Sequence, residues 1–247
     1  KTAYTAQITR NTPTAFIFLV DHSVSMQKKT NLFGEEMTMA EAAARIVNRQ
    51  INELVLRCIK SNEVRHYYDI AVIGYGERAY SGWNGELEGR DFVTPEELRD
   101  NPFKKIITRE EKRTRKGTVV KKGEKVQWVE AHHDGRWTRL HEAFNRAKML
   151  LNQWMEQHKE KDCYPPTIIN ITDGEFNGAS KEAVLQQANE LKSMFTNDGN
   201  IILFNIHFTA SKSADEVVCP IDKSELNGNR YAETLFQMSS LLPERYN

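Results

Sequence analysis

The sequence predicts an α/β fold with a doubly wound, mostly parallel open sheet. Short runs of apolar and β-branched residues alternate with segments in which apolar residues recur at helical spacing. Two of the runs, residues 14–20 and 167–172, are long enough and apolar enough to be strands covered on both faces. An aspartate follows each run directly, Asp21 after the first and Asp173 after the second. Such an arrangement is typical of a site at the carboxyl edge of a parallel sheet.

The strands of the predicted sheet are read from apolar runs in chain order. They are residues 14–20, 67–74, a short edge strand beginning at 79–80, 167–172 and 200–208. Pro165 and Pro166 end the loop before the fourth run, since proline donates no hydrogen bond to a ladder. No internal repeat interrupts this order.

Helices are predicted between the strands. The first follows a capping box, in which Thr38 caps the helix and Glu41 reaches back to the N-cap backbone. A second helix is predicted to begin at Thr138, a third to span residues 180–195 and a last one residues 231–242. Because strands and helices alternate, right-handed crossovers place the helices on both faces of the sheet.

Oxygen-bearing side chains are concentrated where the first and fourth strands end. Asp21, Ser23 and Ser25 stand at alternate positions of one loop, and Asp173 begins the other. Oxygen ligands without histidine or cysteine suit a hard cation such as Mg²⁺. The residues therefore predict a metal site, and His22 is interpreted as a loop residue that is not a ligand.

Composition sets broad limits on function. Apolar residues make up 39% of the chain, charged residues 28%, and the formal net charge is zero, which is ordinary for a globular protein. No stretch approaches the roughly 18 to 20 apolar residues that span a bilayer, and no secretory signal is visible. The three cysteines, Cys58, Cys163 and Cys219, form no CxxC pair. A cytoplasmic location is the expectation.

The segment between the edge strand and Thr138, residues 81–136, is predicted to be an insertion in a single domain that spans residues 1–247. Thr94-Pro-Glu-Glu97 indicates a short capped helix, and residues 104–125 indicate a β-hairpin. That hairpin contains ten Lys or Arg residues and three Glu residues. A solvated hairpin and a docking surface for an acidic protein are both open interpretations. Nucleic acid is not expected, because the hairpin has few aromatic residues on which bases could stack.

Two catalytic functions are alternatives to the metal site. An aspartate after an apolar strand is the nucleophile of some Mg²⁺-dependent phosphoryl-transfer enzymes, but these usually carry a second acid two residues later, where this chain has Ser23. A nucleophilic serine would need a Gly-x-Ser-x-Gly elbow and an assigned base, and neither is present. The chain is therefore not expected to be an enzyme.

Three elements of the chain together resemble the von Willebrand factor type A (VWA) domain, including bacterial VWA proteins. In order, they are Asp21-x-Ser23-x-Ser25, Thr138-x-Leu-x-x-Ala143 and Thr172-Asp173-Gly174. The resemblance covers residues 14–242. In this family the three elements form the metal-ion-dependent adhesion site (MIDAS).

The resemblance implies specific roles for five residues. Ser23 and Ser25 would coordinate the cation directly, Thr138 directly or through water, and Asp21 and Asp173 mostly through water. The open coordination position would accept an acidic side chain of a protein partner. The cation implied is Mg²⁺ or Mn²⁺.

This chain departs from the family pattern at two positions. Val24 stands where many members have glycine, and Trp137 stands where a small residue usually precedes the threonine. Only a positive φ would require glycine at position 24. The large side chain at position 137 affects whether Thr138 can act as a metal ligand.

The function expected from the resemblance is an intracellular scaffold or adaptor that binds a protein partner through a divalent cation. Cytosolic bacterial members of the family often act beside ATPases, kinases or phosphatases. The alternatives are an extracellular adhesion domain and, second, the Mg²⁺-dependent phosphoryl-transfer enzyme already described.

Overall fold

The structure, a computed structural model, describes residues 3–114, 117–210 and 218–241, without the side chains of residues 109–122. The central sheet contains strands β1 (Thr14–Asp21), β2 (Tyr68–Tyr75), β3 (Ala79–Ser81), β4 (Thr167–Thr172) and β5 (Ile202–His207). Their order across the sheet is β5-β4-β1-β2-β3. All neighbours are parallel except β3, which pairs antiparallel with β2. The predicted mostly parallel open sheet is confirmed.

Helices cover both faces of the sheet, as the alternation of elements predicted. They are α1 (Met39–Cys58), α2 (Pro95–Asp100), α3 (Leu140–Gln157), α4 (Lys181–Ser193) and α5 (Arg230–Met238). Along β1, Phe18 and Val20 pack in one core with α1, whereas Ile17 and Leu19 pack in a second core with α3, α4 and α5. Successive side chains of a strand point to opposite faces, so both faces of β1 are buried. The sheet is therefore doubly wound.

The predicted helix starts agree with the structure where a capping motif was present. Thr38 Oγ1 accepts a hydrogen bond from the Glu41 backbone N–H at 3.1 Å, and a Glu41 carboxylate oxygen accepts one from the Thr38 N–H at 2.7 Å. Thr94 and Glu97 form the same reciprocal pair at the start of α2. Single turns of 3₁₀ helix lie at Val24–Gln27, Gly85–Leu87 and Lys223–Leu226.

Three predicted helix boundaries differ from the structure. Helix α3 begins at Leu140, so Thr138 lies two residues before it. Helix α4 ends at Ser193 and Met194 takes an extended conformation, so the predicted continuation of this helix to residue 195 was wrong. Phe195 is 66% exposed and pairs with Asn200 in a two-residue ladder. Helix α5 ends at Met238, and Leu242, its predicted end, lies outside the described residues.

Small antiparallel hairpins surround the central sheet. The sequence did not predict Lys29–Leu32 with Glu35–Thr38, Ile59–Lys60 with Glu63–Val64, or Phe195–Thr196 with Gly199–Asn200. It did predict the longest one, which pairs Lys104–Thr114 with Gly117–Gln127 and is called the basic hairpin below. Of the predicted hairpin residues 104–125, the side chains from 109 to 122 lie outside the description.

The base of the basic hairpin is joined to α1 by Asn48. The Asn48 Oδ1 atom accepts hydrogen bonds from the backbone N–H groups of Trp128 at 2.7 Å and Val129 at 3.1 Å. Its Nδ2 atom donates to the carbonyl oxygens of Val129 and Ala44. Because this amide is buried, its bonds fix where the hairpin leaves the domain.

In the part of the chain that the structure describes, none of the helices has the length and apolar character required to cross a membrane.

Candidate metal centre

Asp21 ends β1 with a side chain that is fully buried. Its Oδ1 atom accepts a hydrogen bond from the Ser23 backbone N–H at 2.9 Å, and its Oδ2 atom accepts one from Thr172 Oγ1 at 2.6 Å. One oxygen is therefore held by its own loop and the other by the end of β4. Thr172 also accepts a hydrogen bond from the Gly174 N–H at 3.0 Å, so a single hydroxyl links both aspartate loops.

The Asp21 carboxylate lies in an environment that disfavours its negative charge. Burial raises its pKa from the usual 3.8 to about 7, the hydrogen bonds from Ser23 and Thr172 oppose the rise, and the negative charge of Asp173 adds to it. A cation nearby would favour the ionised form. The two hydrogen bonds thus compensate the negative charge of the Asp21 carboxylate only in part.

The two serines of the first loop lie against each other. Ser23 is buried and precedes the 3₁₀ turn Val24–Gln27, which contains Ser25. The two hydroxyl oxygens are 2.9 Å apart, close enough for one hydroxyl to donate to the other. The φ angle of Val24, between them, is not positive, so glycine is not required there. The loop therefore presents two adjacent hydroxyl oxygens beside the Asp21 carboxylate.

Thr138 is buried in the second loop and is held by the third. Its backbone N–H donates to Asn177 Oδ1 at 2.9 Å, and its carbonyl oxygen accepts from the Asn177 N–H at 3.1 Å. The preceding Trp137 is 43% exposed, so a large part of its surface faces solvent. The large residue at position 137 is accommodated without displacing Thr138 from the loops.

Asp173 begins the third loop and is also buried. Its Oδ1 atom accepts a hydrogen bond from the Glu175 N–H at 3.2 Å. Its Oδ2 atom is buried without a hydrogen bond and lies 3.5 Å from the ammonium nitrogen of Lys28. Gly174 has φ +82°, and a Cβ there would lie 2.8 Å from Tyr231 Cβ, so glycine is required for both reasons.

Backbone hydrogen bonds join the loops into one layer. The Val24 N–H donates to the Gly135 carbonyl oxygen at 3.1 Å, and the Asp134 N–H donates to the His22 carbonyl oxygen at 2.7 Å. Together with the Asn177 bonds to Thr138, these contacts link all three loops at the carboxyl edge of the sheet. The structure therefore brings all five predicted site residues, Asp21, Ser23, Ser25, Thr138 and Asp173, to one edge.

Lys28 is a member of this site that the sequence did not reveal. Its ammonium group lies 3.0 Å from Glu175 Oε1 as well as near Asp173. The hydrogen bond to Glu175 raises the pKa of Lys28, burial lowers it, and the charge of Asp173 raises it further. Because Lys28 and Glu175 are 147 residues apart, no local signal could have indicated the pair.

His22 is buried in the loop between Asp21 and Ser23. Its Nδ1 atom lies 2.6 Å from the Tyr80 hydroxyl oxygen, and burial together with His132 and His133 lowers its pKa to about 3. A Cβ at Gly74 would lie 2.5 Å from the His22 ring. The neutral imidazole is thus a packing residue between the loop and β2.

The donor set fits a hard dication. Two buried carboxylates, one with an oxygen that lacks a hydrogen bond, stand with three hydroxyl-bearing residues on joined loops. Among the described residues, no group of three or more His, Cys, Asp or Glu side chains could hold a metal ion. A metal at this edge would therefore depend on the hydroxyl oxygens for part of its ligand set, as Mg²⁺ can.

The mostly parallel, doubly wound sheet and the oxygen-rich loops at its carboxyl edge agree with the fold that the resemblance to the von Willebrand factor type A domain implies. Neither the protein-family models nor the curated proteins include a match to this chain.

Solved structures that match the chain come from several organisms. One is described as the conserved hypothetical protein BatB from Bacteroides thetaiotaomicron, with 16% identity, a TM-score of 0.42 and coverage of 79% of this chain and 66% of that chain. A von Willebrand factor type A structure from Catenulispora acidiphila has 10% identity and a TM-score of 0.42, with coverage of 78% and 33%. Proximal thread matrix protein 1 from the mussel byssus, with a zinc-occupied MIDAS motif, has 12% identity and a TM-score of 0.42, with coverage of 95% and 41%.

This chain spans less than two thirds of the length of those structures. The matched region is about a third of the Catenulispora chain and 41% of the mussel chain. The activities and partners of those proteins are therefore not transferred to this chain by the likeness.

Proposed function

We propose that this VWA domain is a protein-binding module that depends on a divalent cation, Mg²⁺ or Mn²⁺. Ser23, Ser25 and Thr138 would hold the cation through their hydroxyl oxygens, and Asp21 and Asp173 would balance its charge, mostly through water. The observation that carries the proposal is the convergence of these residues on three loops joined by hydrogen bonds.

The ligand chemistry supports binding of an acidic side chain. Mg²⁺ prefers about six oxygen ligands, and it retains water readily. With both aspartates acting mostly through water, the cation would keep enough positive charge to bind a carboxylate. A Glu or Asp of a protein partner would supply that carboxylate at the open coordination position.

Location and role belong to the same proposal. We place the module inside the cell, as a cytoplasmic scaffold or adaptor. The cysteines support this assignment, because Cys58, Cys163 and Cys219 are all unpaired, as is usual in reducing compartments. The proposed scaffold would present its metal edge to one partner.

The basic hairpin is proposed as a second docking surface, for an acidic part of the partner. Residues 104–125 contain ten Lys or Arg and three Glu, and long-range attraction of this kind speeds association. The hairpin projects from a base that Asn48 fixes beside α1. The positive charge of the hairpin would attract an acidic partner, and the metal would make the specific contact with its carboxylate.

Titration calorimetry of Mg²⁺ and Mn²⁺ into metal-stripped protein tests the proposal. Saturable binding at one site is expected in the unchanged protein, and its loss is expected in Asp21→Ala and Asp173→Ala, because each change removes a carboxylate that balances the dication. Asp100→Ala is the matched control, since Asp100 is an exposed carboxylate at the end of α2.

Circular dichroism must show that the variants keep the fold. Unchanged binding in both folded aspartate variants would contradict the site. If neither cation binds the unchanged protein, the metal-dependent module is refuted as proposed.

A further inference from the structure

The loops of the metal edge expose apolar side chains directly beside the proposed ligands. Val24, between Ser23 and Ser25, is 46% exposed, and Trp137, just before Thr138, is 43% exposed. The Val24 N–H donates to the Gly135 carbonyl oxygen, which brings the first loop against the segment that leads into Trp137. Both side chains are therefore exposed on loops that carry proposed ligands.

The third loop has an aromatic neighbour of its own. Tyr231, at the start of α5, packs so closely on Gly174 that a Cβ at position 174 would lie 2.8 Å from Tyr231 Cβ. Its ring is half-buried. We call Val24, Trp137 and Tyr231 the apolar rim, because one of its members lies beside each of the three loops.

Guanidinium groups cover both aromatic members of the apolar rim. The Arg139 Cζ atom lies 5.1 Å from the centre of the Trp137 ring, and Arg139 also bonds Glu142 at 2.9 Å. The Arg230 Cζ atom lies 4.8 Å from the centre of the Tyr231 ring, and its Nη2 donates to the Tyr231 hydroxyl at 2.8 Å. The rim thus combines apolar surface with positive charge, which complements a carboxylate that has apolar neighbours.

The exposed apolar residue Phe33 lies away from the metal edge. Phe33, 70% exposed, lies 5.3 Å from the Arg49 guanidinium. Arg49 is ten residues into α1, and a rise of about 1.5 Å per residue places it about 15 Å from the helix start. The start of α1 is the end nearest the metal loops, since the Met39 N–H bonds the Lys28 carbonyl oxygen.

We propose that the apolar rim selects the partner by the residues next to its acidic side chain. The occupant is a protein segment in which a Glu or Asp has an aliphatic or aromatic residue on at least one side. In an extended segment neighbouring residues are about 3.3 Å apart along the chain, so a residue beside the bound carboxylate reaches Val24 or Trp137. This inference rests on the proposed metal-dependent function and adds specificity to it.

Selection from a displayed peptide library tests the inference. The library holds glutamate at the centre of a heptapeptide with all other positions random, and selection is run in Mg²⁺ and, separately, in EDTA. We expect a pool that depends on Mg²⁺ and is enriched in apolar residues directly beside the glutamate. A representative peptide should bind the double variant Val24→Ser/Trp137→Ser at least tenfold more weakly, while Mg²⁺ affinity stays within twofold.

Phe33→Ser is the matched control, because it removes an exposed apolar residue away from the metal edge and should leave peptide binding unchanged. A Mg²⁺-dependent pool without apolar neighbours, or one that binds the double variant equally well, overturns the inference and leaves the metal-dependent module standing. Failure to recover any Mg²⁺-dependent pool, although calorimetry shows Mg²⁺ binding, also overturns it. Absence of Mg²⁺ binding in calorimetry overturns the proposed function itself.

Discussion

Asp21 is a proposed site residue whose buried charge lowers the stability of the metal-free protein. Its carboxylate is fully buried, and the two hydrogen bonds that it accepts do not offset the cost of burying its charge, because its pKa is raised to about 7. Folding of the metal-free protein therefore favours the protonated form. Between about pH 4 and pH 7, Asp21 is protonated in the folded protein and ionised in the unfolded chain. The stability of the folded protein therefore falls as pH rises through this range.

Asp21→Asn should separate stability from metal binding. The amide carries no charge, so the metal-free variant should be more stable than the unchanged protein at pH 8 by about 4 kcal/mol and nearly equal to it at pH 4, since a pKa difference of one corresponds to about 1.36 kcal/mol. Mg²⁺ binding should be lost. Urea unfolding in EDTA at the two pH values measures the first effect, and calorimetry measures the second.

Asp69→Asn is the control with the opposite sign. Burial pushes the pKa of Asp69 up, but hydrogen bonds from His66 and Trp154 lower it below its usual value. The stability that these bonds provide is present above pH 4 and is lost as pH falls, so this variant should be less stable than the unchanged protein at pH 8. A loss of stability in Asp21→Asn at pH 8 would contradict the account of Asp21.

Lys28 places a positive charge beside the proposed metal ligands. Its ammonium nitrogen is 3.5 Å from Asp173 Oδ2, an atom that would otherwise face a dication. We expect Lys28→Met to bind Mg²⁺ about threefold to tenfold more tightly, because a repulsive charge is removed from a half-exposed position. Calorimetry at low salt measures the change.

Lys29→Met is the control for the Lys28 variant, since the exposed Lys29 is next in sequence and changes the net charge equally. Equal Mg²⁺ affinities in the two variants would show that the effect comes from overall charge. Weaker binding by Lys28→Met alone would mean that Lys28 supports the site.

The basic hairpin is a structural element that can be removed separately from the metal edge. Its strands are paired over their full length, and its base is fixed by the bonds of Asn48 to Trp128 and Val129, which lie beyond the predicted residues 104–125. The hairpin can therefore be shortened while its base is kept. Lys105 and Val126 are paired across the two strands, and a two-residue turn can close them.

Replacement of residues 106–125 by Asn-Gly should leave Mg²⁺ affinity within twofold and weaken binding of an acidic peptide. The probe is a labelled peptide of alternating glutamate and glycine, and fluorescence anisotropy at low salt should show at least a tenfold loss in affinity. A peptide of alternating serine and glycine is the control for non-specific binding. Unchanged binding of the acidic peptide would remove the hairpin from the proposed docking surface.

For the whole molecule, metal binding should raise stability because the ligands come from distant parts of the chain. Asp21, Thr138 and Asp173 converge only in the folded state, so the unfolded chain has no comparable site. At a Mg²⁺ concentration one hundred times the Kd, stabilisation should be about 2.7 kcal/mol. For a domain of this size the unfolding temperature should rise by roughly 5 to 10 °C.

Differential scanning fluorimetry in Mg²⁺ measures this rise. K⁺ at equal ionic strength controls for screening of surface charge, and Asp173→Asn should show no rise. An equal rise in that variant would place the stabilising metal elsewhere.

Short-range patterns were enough to predict most elements and to place the candidate site residues in loops at the carboxyl edge of the sheet. The capping boxes at Thr38 and Thr94 each involve residues three apart, and their prediction is confirmed. The strands that end at Asp21 and Thr172 are read from continuous apolar runs, because both of their faces are buried. The end of α4 was predicted less well, since an apolar Phe195 continued the helical pattern beyond a backbone that had become extended.

Local sequence therefore predicted the order of strands and helices along the chain and the oxygen-rich loops at the sheet edge. It could do so because apolar spacing and capping depend on neighbours in the chain. Only the tertiary structure decided how those loops join. Asn177 holds Thr138 across 39 residues, and Lys28 meets Glu175 across 147. Contacts at such separations depend on how helices pack on the sheet, and no short pattern records that packing.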